Sequence, residues 1–219
     1  MGLPSWALLA LHDIRYTLKP EILTPEDAEL AGGFITTWNN ADGDFVGSAK
    51  FGINNQVELG TKVTIETERR FGDVFAMLDF GAKAAIDPGS ALQADLLFGL
   101  NNNRGGGVAL GYSSAKSYSK RFSAVWEGRT GFFEAITGGN WTVFEVGAYP
   151  AFQIADPVSL RMGILESTSL RHPVNDFQIV LIPGFVIGIQ KHMSLFADCA
   201  VDIIGGTGLR IAAFVTTKF

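Results

Sequence analysis

The sequence predicts an all-β chain closed into a transmembrane antiparallel up-and-down β-barrel. Three observations carry that reading. From Phe45 onward apolar and polar residues alternate with a period of two, the period of a strand with one apolar face. The alternating runs are about ten residues long, as tilted membrane-spanning strands are. The composition is also very apolar for a β protein, at 47% hydrophobic and 18% charged with a mean hydropathy of +0.22. No segment supplies the roughly 20 apolar residues of a spanning helix. The longest apolar run, 179–189, is interrupted in character by Pro183, Gly184 and Gly188.

Other classes are excluded by the same figures. Seventeen Phe and a net charge of only -5 over 219 residues are not those of a disordered chain. A single cysteine rules out a disulfide scaffold. The acidic balance argues against a nucleic-acid partner. The stretch from Leu3 to Leu11 is short, has no Lys or Arg before it and runs into Asp13 and Arg15, so it is not expected to be a signal peptide.

The elements follow in order. Residues 6–18 alternate compatibly with a strand (Leu8, Ala10, Ile14, Tyr16 against Asp13, Arg15, Thr17), with 19–32 as the longest outer loop. The competing reading makes the first thirty or so residues a plug or tail. Val57, Leu59, Thr61, Val63 and Ile65 then oppose Glu58, Gly60, Lys62, Thr64 and Glu66. Val74 to Ala82 and Leu92 to Leu100 repeat the pattern. Near the end, Phe177 to Ile189, Met193 to Ile203 and Leu209 to Phe219 give three more outward sets. Turn clusters are read at 42–44, 70–73, 87–90, 101–107, 127–131, 138–140, 155–157, 171–176 and 205–208. This segmentation gives one domain over 1–219 with about 12 to 14 strands, 14 preferred because a strand at 6–18 makes the count even. Trp6, Trp38, Trp126, Trp141, Tyr112, Tyr149 and Phe219 fall near run ends, as interface girdle residues do.

The last run alternates Leu209, Ile211, Ala213, Val215 and Thr217 and stops at Phe219. It resembles the C-terminal strand of bacterial outer-membrane β-barrel proteins, which typically end in Phe after alternating apolar residues. Thr217 departs from the larger apolar residue common there. The resemblance implies a bacterial outer-membrane location among membrane lipids, a mitochondrial or plastid outer membrane being the alternative. It implies that the barrel-assembly machinery reads Phe219 as an assembly signal, and that Phe219 lies at the periplasmic end. Counting hairpins back from it puts 205–208, 171–176, 138–140 and 87–90 outside, and 70–73, 101–107 and 191–192 in the periplasm.

The polar face is then the lumen. Its acids are Glu58, Glu66, Asp79, Asp95, Glu134, Glu145, Asp198 and Asp202. Its bases are Lys50, Lys62, Lys83, Arg121, Arg161, Arg210 and Lys218, a balanced set with no strong ion preference. Opposite charges face each other if 62 pairs with 79, 58 with 83 and 202 with 210, and a one-residue slip would turn them into lipid. Val180, Ile182, Val186, Phe196 and Phe214 make part of the lumen apolar. These features predict a narrow channel or transporter for small solutes. The alternative is a non-conducting barrel that anchors an envelope assembly and has a partner there.

Enzyme chemistry is not expected, an outer-membrane lipid hydrolase using His192 and Ser194 being the remote alternative. His192-Met193-Ser194 resembles the His-x-Ser step of outer-membrane phospholipase A and the lipid A deacylases, but Leu195 replaces their Asn. Asp198, six residues past His192 and so roughly 20 Å along a strand, is too far to orient it. His12, His172 and His192 lack metal-ligand spacing, and Cys199 falls on the lipid-facing set. No metal or cofactor is expected.

Overall fold

The computed structural model describes residues 22–37, 43–68, 73–100, 105–135, 139–170, 174, 176–205 and 208–219. Side chains at 37, 66–68, 73–75, 133–135 and 139–141 lie outside the description. Twelve antiparallel strands form one closed barrel. They are β1 (Ala28–Thr37), β2 (Gly43–Asn54), β3 (Val57–Glu68), β4 (Asp73–Asp87), β5 (Ser90–Gly99) and β6 (Gly106–Ser117). The ring continues through β7 (Phe122–Ala135), β8 (Gly139–Ala155), β9 (Val158–Ser169), β10 (Gln178–Gln190), β11 (Met193–Ile204) and β12 (Leu209–Lys218).

Each strand pairs with its sequence neighbours, and β1 pairs with β12 to close the ring. Backbone bonds between Ala28 and Phe219 in both directions (2.8 and 3.2 Å) seal that seam at the end where the chain leaves. Closure leaves no strand edge, which is what lets a sheet stand in lipid with every backbone donor and acceptor satisfied. The outward set is the one read from the sequence. Leu59, Phe80, Leu92, Leu96 and Ile211 are exposed, while the alternate positions Glu58, Lys62, Asp79, Gln93 and Asp95 are buried. Tyr118, Phe122 and Trp126 form an exposed aromatic cluster on one rim, with ring centroids 5.4 and 6.1 Å from Tyr118. That placement suits a membrane–water interface.

The strand number is twelve, not fourteen. The ring closes from Ala28 without a strand from residues 6–18, a stretch outside the described residues. Residues 127–131, expected as a turn because of Gly128 and Gly131, do not form one. They lie mid-strand in β7, and the connection that the reading missed is at 118–121. The connections at 55–56, 88–89, 118–121, 156–157 and 191–192 share an end with Ala28 and Phe219. Residues 87–90 therefore lie at the same end as Phe219, and 70–73 and 101–107 connect strands at the opposite end.

Candidate functional site

The barrel interior is the candidate site, and two walls of different chemistry face each other across it. On β3 and β4 the register pairs Lys62 with Asp79 and Glu58 with Lys83, as charge matching predicts. Lys83 Nζ lies 2.8 Å from Glu58 Oε1, and Lys62 Nζ lies 3.8 Å from Asp79 Oδ2. Lys50 on β2 reaches Glu29 on β1 at 3.1 Å. Arg129 on β7 bonds Asp95 on β5 at 3.1 Å, bridging over β6, where the intervening positions are small: Ala109, Gly111 and Ser113. Gln93 Nε2 donates to both carboxylate oxygens of Asp95 (2.8 and 3.0 Å). Ser48, Thr61 and Gly81 join these groups around a cavity of about 30 Å³, room for about one water.

The facing wall is apolar. Tyr149, Leu165, Val180, Ile182 and Ala200 form one buried cluster on β8 to β11. Ile35, Val46, Phe196 and Phe214 form another on β1, β2, β11 and β12. Two ion pairs stud this wall, Arg161–Asp198 at 2.6 Å and Arg210–Asp202 at 2.8 Å. The Arg161 guanidinium also stands 5.8 Å from the Phe196 ring centroid, a cation–π contact. On the β11–β12 pair the register differs from the reading by two residues, since Ala200 and not Asp202 is opposite Arg210. Both positions point inward, so the ion pair forms diagonally.

The remaining sequence candidates divide clearly. Glu145 is buried on β8, opposite Arg129. Arg121 is not in the lumen; it is exposed in the 118–121 connection. Lys218 sits exposed at the mouth and pairs with Asp27 at 3.0 Å. The Glu66 and Glu134 side chains lie outside the description. His192 is exposed in the two-residue turn before β11 rather than on a strand, and Ser194 is the second residue of that strand, partly buried. Among the described residues no group of three or more His, Cys, Asp or Glu converges as a metal site.

Several inward residues were missed in the sequence. Glu127 and Arg129 were read as turn residues, yet Trp126, Thr130 and Phe132 alternate with them and carried the signal. Tyr149 was assigned to the girdle. It is buried in the lumen, and its hydroxyl donates to Glu127 Oε1 at 2.5 Å.

At the mouth beside the chain end, residues 22–27 make a hook. Thr24 Oγ1 donates to Asp27 Oδ2 (2.6 Å), and the Asp27 N–H donates to the Thr24 carbonyl (2.9 Å). These bonds hold Asp27 below its ordinary value of 3.8, with Lys218 adding to the effect. Between them Glu26 adopts φ 84, a left-handed conformation that a non-glycine residue adopts only under local constraint.

A closed twelve-stranded barrel with a lipid-compatible exterior and a paired-charge interior has the fold of the outer-membrane barrel class. No protein-family model and no curated protein matches the sequence. Solved structures do match. The KdgM porin is 7% identical with a TM-score of 0.65, over 87% of this chain and 99% of that one. An outer membrane channel from Pseudomonas putida F1 is 11% identical with a TM-score of 0.64, over 90% and 97%. The translocator domain of the autotransporter NalP from Neisseria meningitidis is 8% identical with a TM-score of 0.61, over 97% and 95%. At these identities the likeness is one of fold, so the chain has the architecture of bacterial outer-membrane β-barrels.

Proposed function

We propose that this chain is a narrow channel for small solutes in the bacterial outer membrane. The observation that carries the reading is the lumen's two-sided lining: neutralised ion pairs on β2 to β7 opposite an apolar wall on β8 to β12. Net-neutral pairing favours passage by size and by mixed polar–apolar character over passage by charge. The fold neighbours named as a porin and a channel support the assignment. The C-terminal Phe219 supports recognition by the barrel-assembly machinery. Single-channel recording of the purified chain in planar bilayers tests the proposal. Small steps with weak cation–anion selectivity are expected. The absence of steps in every salt would overturn it.

One observation favours a second reading. The inward side chains are almost all buried, and a translocator domain has the same fold, so a non-conducting barrel that anchors an envelope partner is the alternative. Absence of conductance combined with a copurifying partner in mild detergent would establish that reading.

A further inference from the structure

We infer that the lipid-facing side of the β6–β7 hairpin is a binding site for an anionic phospholipid, with the phosphate at the rim beside Lys116 and one acyl chain in a groove floored by Gly128. The inference holds for a conducting barrel and for an anchor alike.

The groove comes from one missing side chain. On the outward face the register sets Leu92, Tyr112, Gly128 and Val146 side by side across β5 to β8. Gly128 puts nothing into that row, and a Cβ there would meet no atom within 4 Å. The larger Leu92, Leu110, Tyr112, Phe144 and Val146 stand around it and leave a depression of about 370 Å³. A wall in hydrocarbon loses dispersion contacts wherever nothing touches it. An acyl chain is the component of a bilayer core that can enter such a depression.

Toward the rim the chemistry changes in the order of a phospholipid's own parts. The outward positions of β6 in that direction are Leu110, Tyr112, Ser114 and Lys116. The Tyr112 hydroxyl donates to Ser90 Oγ (3.3 Å), and Ser90 Oγ donates to Ser114 Oγ (3.2 Å). These hydroxyls lie between the groove and the rim, where a lipid has its ester groups. Lys116 follows, exposed, with Nζ 5.4 Å from the Tyr118 ring centroid. That ring packs against Phe122 and Trp126, and Trp126 shares the outward face of β7 with Gly128. Lys120 and Arg121 are exposed in the adjoining connection. Lys116, Lys120 and Arg121 form no ion pair among the described residues. The sequence has no Asp or Glu between Asp95 and Glu127, so the charge of this face is positive.

The spacing fits a single leaflet. Tyr112 and Lys116 are four residues apart, about 13 Å along the strand and about 10 Å in depth at a tilt of about 40°. The groove therefore lies within the roughly 15 Å of hydrocarbon in one leaflet, below a cationic rim. A choline headgroup would bring its own ammonium against these cations, whereas an anionic headgroup adds only opposite charge.

The test is native mass spectrometry of the full chain, delipidated in detergent and titrated with phosphatidylglycerol or phosphatidylcholine of the same acyl chains. Folding of each variant is checked by heat-modifiable gel migration. The site predicts saturable binding of phosphatidylglycerol with a preference of about tenfold over phosphatidylcholine. Lys116→Gln with Arg121→Gln should abolish that preference. Lys191→Gln, which removes a cation from another connection at the same end, should keep it. Gly128→Leu, which fills the groove, should weaken binding of both lipids alike. Equal binding of the two lipids by the unaltered chain overturns the inference. A preference that survives the double substitution, or that Lys191→Gln removes as completely, overturns it too, as does undiminished binding by folded Gly128→Leu protein.

Discussion

The two walls of the lumen are equally buried but are held together by different physics. On the β2–β7 side, Lys62, Asp79, Lys83, Glu58, Asp95 and Arg129 are each buried and each placed against an opposite charge. On the β8–β12 side, Leu165, Val180 and Ile182 bury apolar surface in a packed hydrophobic cluster. A charged wall tolerates substitution only in pairs, because one partner left alone is an uncompensated buried charge. An apolar wall loses stability residue by residue, by transfer and cavity terms.

The largest expected effect breaks the comparison on its charged side. Arg129→Leu or Asp95→Leu alone should cost about 3–5 kcal/mol, and the double substitution should recover most of the loss. Urea unfolding in detergent micelles measures all three; a double variant as unstable as the sum of the singles would count against the pairing. On the apolar side, Ile182→Ala should cost about 2–4 kcal/mol, and adding Leu165→Ala should deepen the loss. Recovery in that double variant, read on the same unfolding curves, would erase the distinction between the walls.

The hook belongs to neither wall and gives smaller effects. Glu26→Gly should stabilise the barrel by about 1 kcal/mol, since glycine removes the left-handed penalty at φ 84. An unchanged or lower thermal midpoint would show that the Glu26 side chain contributes more than its backbone costs. The smallest effect is a pH dependence. Asp27 is held below 3.8 in the folded chain by the Thr24 hydroxyl and Lys218. Its contribution is therefore fully present above pH 3.8 and is lost as pH falls through the lower folded value. Asp27→Asn should flatten the difference in thermal midpoint between pH 6 and pH 3, and an unaltered difference would remove Asp27 as its source.

Much of the barrel was legible because lipid leaves no other solution. Period-two alternation fixes which face is greasy, and closure follows from the cost of an open edge in hydrocarbon. The β3–β4 register was legible because two opposite-charge matches, Lys62–Asp79 and Glu58–Lys83, agree on one offset. At β11–β12 a single match was available. Long Arg210 reaches Asp202 diagonally as well as directly, so that match could not separate offsets two residues apart. The middle of β7 was hidden by Gly128 and Gly131, whose turn propensity outweighed the continuing alternation around Arg129. Tyr149 was hidden by its amphipathic chemistry, which suits an interface and a buried hydrogen bond to Glu127 alike.

The β1–β12 seam joins almost the first and the last described residues of the chain, Glu29 beside Lys218. Eleven hairpins can zip locally as the chain is made, but this pairing has to wait for the final strand. Until then the sheet carries two unsatisfied edges, the arrangement that recruits foreign strands and aggregates. Loss of β12 would not trim the barrel by a fraction: it would leave an eleven-stranded sheet that never becomes a ring.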